Sequence, residues 1–165
     1  MNGERARGPH CLDERQVYME TTKIASDKTA AEVSRLLAQT GASAITIDYV
    51  ESEAVSLSFE IPVDELPFKF RLPVRIDPVF RVLNLRRAPM NRDRRAPADL
   101  MQAKRVAWRQ ILRWVQAQLA MIDTGMVKVH EVFLPYACTP DGGTLFEAWD
   151  DRRLSLPALM QPLET

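Results

Sequence analysis

The residues best suited to chemistry are arginines. The segment "RRAPMNRDRRAP" carries Arg86, Arg87, Arg92, Arg94 and Arg95, with Asp93 as its single acid. Downstream, Arg105, Arg109 and Arg113 follow at four-residue intervals. A guanidinium presents a planar fork of donors that matches a phosphate bidentately. Five such groups in a loop, continued by three at helical spacing, form a candidate nucleic-acid-binding track. Phosphate contacts of this kind release counterions, so binding would fall steeply with salt. The competing reading is a solvated loop. Its arginine stems would cover apolar edges and its charges would pair with Glu51, Glu53, Glu60, Asp64 and Glu65. The balance of 22 basic and 22 acidic residues argues against a dedicated DNA-coating protein, and a local patch stays open. No aromatic residue interleaves the loop arginines, so a stacking platform for single strands is missing.

Catalytic constellations are weaker. The two histidines are His10 and His130, and "VHEVF" is not the H-E-x-x-H of a zinc site. Cys11 and Cys138 do not form a C-x-x-C pair and are too few for a disulfide framework, so free thiols in a reducing compartment are expected. Cys138 and His130 could form a thiol–imidazole pair only if the fold joins them. A deep pocket lined by both, with acids, would favour a small hydrolase-like enzyme. Asp141, Glu147, Asp150 and Asp151 fit capping and surface roles. No phosphate loop, dinucleotide fingerprint or nucleophile elbow occurs, so no cofactor, metal or catalytic residue is expected.

The positioning elements are legible in outline. At 165 residues, with 46% hydrophobic residues, the chain is long enough for one domain with a real core. Residues 1–16 are expected to be a loose tail, residues 17–155 a single α+β domain, and residues 156–165 a second tail. Met19 is an alternative start. The N-terminus lacks the apolar region of a secretory signal, and no apolar run is long enough to span a bilayer; a cytoplasmic protein is expected.

"VYMETTKI" has β-forming composition and predicts a first strand. Thr29 and Glu32 form a T-x-x-E capping box ahead of Val33, Leu36 and Leu37, and Gly41 ends that helix. Period-two alternation then predicts strands over Ser43 to Val50, Ala54 to Ile61 and the "PFKFRLP" segment. In the second, Val55, Leu57, Phe59 and Ile61 should face inward, with Glu51-Ser52-Glu53 as the turn before it. In the third, Phe68, Phe70 and Leu72 should face inward, and Lys69 and Arg71 outward. A short helix follows Asp77-Pro78, and a long one opens at Pro97 and closes at Gly125. A shorter helix spans Val129 to Leu134 and stops at Pro135. Asp141-Gly142-Gly143 is a turn, and Thr144 with Glu147 caps a last helix. The expected fold is a small, mostly antiparallel sheet packed by helices.

On a wheel centred on Trp108, at about 100° per residue, Met101, Ile111, Leu112, Val115, Leu119 and Ile122 lie within about 60°. This stripe is a core face. The three helix arginines drift along its shoulder. Trp114 lies on the far side, near Gln110 and Met121, and requires a second packing partner. Within the domain, a C-terminal helix carrying Phe146 and Trp149 would serve. Alternatively Trp114, Met121 and Gln110 form a protein interface or homodimer surface.

Read in order, "TTKIASDKTAAEVSRLLAQTGASAITIDY", "FKFRLPV", "AWRQILRWVQAQLAMIDTGMVKVHEVFLPY" and "GGTLFEA" resemble small proteins encoded by bacteriophages and prophages of bacteria. The shared features are the "GA" after the first helix, the "FRLPV" strand and the "VFLPY" after the long helix. The resemblance covers about residues 20 to 150. It implies a mobile-element context inside a bacterial host and carries over no catalytic residue. The expectation is therefore a non-enzymatic accessory protein that acts by binding. Its target is nucleic acid through the arginines or, alternatively, a protein or second copy through the Trp114 side.

Overall fold

The computed structural model describes residues 17–63, 65–85 and 99–151, with the backbone alone of 86 and 87. The element order is α1 (Ser26–Gln39), β1 (Ser43–Val50), β2 (Glu53–Val63), β3 (Leu66–Arg71), α2 (Ile76–Arg87), α3 (Leu100–Asp123), α4 (Val129–Phe133), a 3-10 turn (Leu134–Tyr136) and α5 (Leu145–Asp150). The strands form one antiparallel meander, β1-β2-β3. The fold is α+β, as the alternating and helical periods predict. No helix among the described residues is long and apolar enough to cross a membrane.

One face of the sheet carries the core. Leu57, Phe59 and Ile61 of β2 and Phe70 of β3 meet Ala30, Val33 and Leu37 of α1 and Trp108, Leu112, Val115 and Leu119 of α3. Burial of such apolar area is the main favourable term in folding. A second, smaller cluster joins Leu83 of α2 to Ala103 and Val106 of α3. The long helix is thus covered on two sides, which explains apolar residues outside its main stripe.

Several local expectations change. Residues 17–22 form turns, not a strand. Gln102 donates from Nε2 to the carbonyls of Glu20, at 2.7 Å, and Thr22, at 2.9 Å, and Gln110 donates to that of Tyr18, at 2.9 Å. Three carbonyls of this segment are thus satisfied by α3 side chains, and those of Val17 and Met19 by turn amides, rather than by a strand ladder. Helix α1 begins at Ser26, ahead of the Thr29–Glu32 box. Thr29 is buried and its hydroxyl bonds the Ala25 carbonyl, as an in-helix threonine does. Helix α3 begins at Leu100, and Asp99 caps it by accepting from the Met101 amide at 3.0 Å. Pro97 lies outside the described residues.

The β1–β2 turn has two central residues, Glu51 and Ser52, both at positive φ, and Glu53 already pairs with Val50. This is the twist-matched hairpin geometry. A register shift follows: Asp48 pairs with Ser56 but Tyr49 with Ala54. Val55 is the extra residue of a bulge. Alternation therefore breaks there, and Ala54, not Val55, is the fully buried residue. Phe68 was expected inside but stays 40% exposed, although its ladder partner Ile61 is buried.

Candidate functional site

Of the expected arginine ridge, only Arg105, Arg109 and Arg113 have described side chains, and Arg109 does not share an exposed surface with the other two. Arg92, Arg94 and Arg95 and the side chains of Arg86 and Arg87 lie outside the described residues. Of the helix arginines, Arg109 turns inward. Its side chain is 11% exposed and its Nη1 donates to Glu32 of α1 at 2.9 Å. About 100° from Trp108, it falls where α1 packs, so the shoulder is an interhelical seam and not a free edge. Arg105 is half-buried and donates to Gln102 at 3.3 Å. Arg113 is exposed and donates to Gln116 at 3.0 Å. The Glu32 used here is the residue that the sequence offered as a cap. Because the Arg109 role is packing as well as pairing, Arg109→Met is expected to fold with stability changed by less than about 1 kcal/mol. Arg109→Ala should cost about 1–3 kcal/mol through lost packing. Urea unfolding of the two variants checks this.

The Trp114 side is also occupied. Trp114 meets the rings of Phe133 at 5.7 Å and Tyr136 at 5.4 Å, both edge-on. The second packing partner exists, but it is α4 and the 3-10 turn, not Phe146 and Trp149, which pair with each other at 6.0 Å. Gln110 is engaged with Tyr18, and Met121 is half-buried. Trp114 and Gln110 share only a shallow hollow of about 220 Å³.

A larger concavity lies elsewhere, on the sheet face opposite the core. It encloses about 580 Å³. Its floor consists of outward residues of the three strands: Asp48, Ser56, Ser58, Lys69 and Arg71. One wall is the segment after β3, Leu72 to Arg75. The other is built by residues 136–147. There the chain returns to the β3 edge: Ala137 bridges Phe70, and the Cys138 amide donates to the Lys69 carbonyl at 2.8 Å. A tight hairpin follows, with Cys138 bridged to Thr144 and the turn closed by Gly142 at φ +85°. Left-handed backbone at that turn favours glycine. Helix α5 then starts with the predicted box: the Glu147 amide donates to Thr144 Oγ1 at 3.2 Å, and Thr144 N–H donates to Glu147 Oε2 at 2.9 Å.

The charges of the cleft are ordered by this wall. Arg71 donates to Glu147 at 2.7 Å and to the Gly142 carbonyl at 3.1 Å, tying floor to wall. Asp48 accepts from the Ser56 hydroxyl. The Arg75 guanidinium lies 5.5 Å from the Phe146 ring centroid, a cation–π arrangement. Burial pushes the Glu147 pKa up, but the Thr144 backbone bond, the Arg71 charge and the side-chain bonds outweigh it and hold the carboxyl below its ordinary 4.5. A depressed folded pKa stabilises the protein above the unfolded value, and that contribution is lost as pH falls through the folded pKa. Stability is therefore expected to drop on acidification below about 4.5. In Glu147→Gln that part of the acid slope should flatten; thermal melts across pH measure it.

Cys138 and the acids Asp48 and Glu147 line the cleft, whereas His130, on α4, is not among its lining residues. The thiol–imidazole arrangement is thus not assembled there. Among the described residues no group of three His, Cys, Asp or Glu could hold a metal ion. The outward positions of Ser56, Ser58, Lys69 and Arg71 were readable as a wet strand face. The missing signal was that a distant segment, 136–147, folds over that face. Comparison of the chain with protein-family models, curated proteins and solved structures returned no match.

Proposed function

We propose that the protein is a non-enzymatic binding protein, of the phage or prophage accessory kind that its segments resemble, and that it engages its ligand in the sheet-floored cleft. One observation carries this reading: a cleft of about 580 Å³ is lined by charged and polar groups held in fixed pairs, Arg71 with Glu147 and Asp48 with Ser56. Such an arrangement suits recognition. A carboxylate held below its ordinary pKa is ionised at neutral pH and is a poor general acid or base there.

Nucleic-acid binding through the arginines is the alternative, with Arg113 as its exposed described member. The inward turn of Arg109 weakens it. Amide chemical-shift mapping of the full chain separates the two. With a small-molecule fragment panel, shifts are expected at Ser56, Ser58, Lys69, Arg71, Cys138 and Gly142. Silence of those amides, with salt-dependent shifts around Arg105 and Arg113 on adding duplex DNA, would replace the cleft reading with the nucleic-acid one.

A further inference from the structure

We infer that the cleft takes the phosphate group of a small phosphate monoester, with Lys69 and the hydroxyl of Ser58 as its principal donors and Thr139 beside them. The inference rests on the cleft being the binding site.

The first observation is an unpartnered donor set. Ser58 is only 8% exposed, and its side chain has no hydrogen-bond partner among the described residues, yet it lines the cleft. Thr139 Oγ1, in the facing wall, is buried and also has no partner. Buried hydroxyls are normally satisfied, because leaving them unpaired forfeits their hydration. The Thr139 oxygen is such a group, whereas the Ser58 hydroxyl, also without a side-chain partner, opens to the cleft, so a ligand oxygen there gains a donor at little cost to existing bonds.

The second observation is charge. Three cationic side chains, Lys69, Arg71 and Arg75, line the cleft against two acids, Asp48 and Glu147. Arg71 is already paired with Glu147. Lys69 has no ion pair among the described residues; Glu60, directly across on β2, is not within salt-bridge distance and does not line the cleft. Lys69 and Arg71 are two apart on β3 and so share a face, about 7 Å apart. Ser58 stands opposite Arg71 in the ladder. Donors thus come from the floor and from a separate wall. A tetrahedral phosphate offers acceptors in several directions and fits this better than a planar carboxylate. The rest of the 580 Å³ leaves room for a small polar body, with Asp48 able to accept from its hydroxyls.

The test titrates the full-length, isotope-labelled chain with inorganic phosphate, glycerol 3-phosphate and glycerol, at low salt and neutral pH. Saturable shifts at Ser58, Lys69 and Thr139 are expected with both phosphates, tighter for glycerol 3-phosphate. Lys69→Met should weaken binding about tenfold and Ser58→Ala about fivefold, with Lys69→Arg largely retaining it. Neither change should reduce stability, since Lys69 is exposed and Ser58 loses an unpaired hydroxyl. If neutral fragments or glycerol shift the cleft amides and the phosphates do not, the ligand class is wrong and the cleft reading stands. If no probe shifts them, both fall. Phosphate binding unchanged in Lys69→Met and Ser58→Ala also overturns the inference.

Discussion

Replacing Trp108 by alanine is expected to remove about 3–5 kcal/mol of stability, a large part of the roughly 5–15 kcal/mol available to a domain. Trp108 is fully buried at the centre of α3, where the sheet, α1 and α3 converge. Its Nε1 donates to the Ala54 carbonyl at 2.8 Å, just before the bulge at Val55. The alanine variant therefore opens a cavity and also strips a donor from a carbonyl at an irregular point of the ladder. Trp108→Phe separates the two effects. It keeps most of the apolar volume, loses the N–H, and should cost about 1–3 kcal/mol. Urea unfolding of both variants measures the difference. A Trp108→Phe loss as large as that of Trp108→Ala would mean that the hydrogen bond, and not the packing, dominates.

Phe133→Ala is the second large effect, about 3–5 kcal/mol. The Phe133 ring is fully buried and meets Phe59 at 5.4 Å, Phe70 at 5.9 Å and Trp114 at 5.7 Å. It joins rings from β2, β3 and α3, and aromatic pairs in such geometry contribute beyond their buried area. The consequence reaches the cleft. Phe133 ends α4, and the chain runs from there through the 3-10 turn to Ala137 and Cys138, which build the wall on β3. Loss of the ring should loosen that wall while α1 and the β1–β2 hairpin stay paired. Hydrogen exchange would register faster exchange at Cys138, Thr139 and Leu145 than at Leu57 or Val33. Phe133→Leu should recover about half of the lost stability. Uniform acceleration across all elements would show that the wall is not a separable unit.

Local signals were read well where one stretch of chain supplies both the signal and its partner. The Thr144–Glu147 box and the glycines at 41, 125 and 142 act over a few residues, and each occurs as expected. The same T-x-x-E spacing misled at Thr29, because Ala25 and Arg109 supplied partners that the spacing cannot reveal. "VYMETTKI" has strand composition, but β-propensity describes fitness for a pleated surface, and among the described residues no strand pairs with it. Val55 shows the same limit: a single bulge reverses which residues face inward, and alternation contains no mark of where the bulge falls.

The sequence by itself determined the types of the helices and of the three paired strands and most of their apolar positions, because helical and strand periods are written in residue order. It determined that Trp114 needed a second partner, because an aromatic opposite a core stripe must be covered. Only the tertiary structure decided which partner, and it chose Phe133 and Tyr136. It likewise decided that Arg109 is a seam residue and that Ser58, Lys69 and Thr139 share a cleft. Several of those relations join residues far apart in the chain, as Glu32 and Arg109, Lys69 and Thr139, and Arg71 and Glu147 are. They depend on how the sheet and the helices pack together, and no periodicity along the chain encodes that packing.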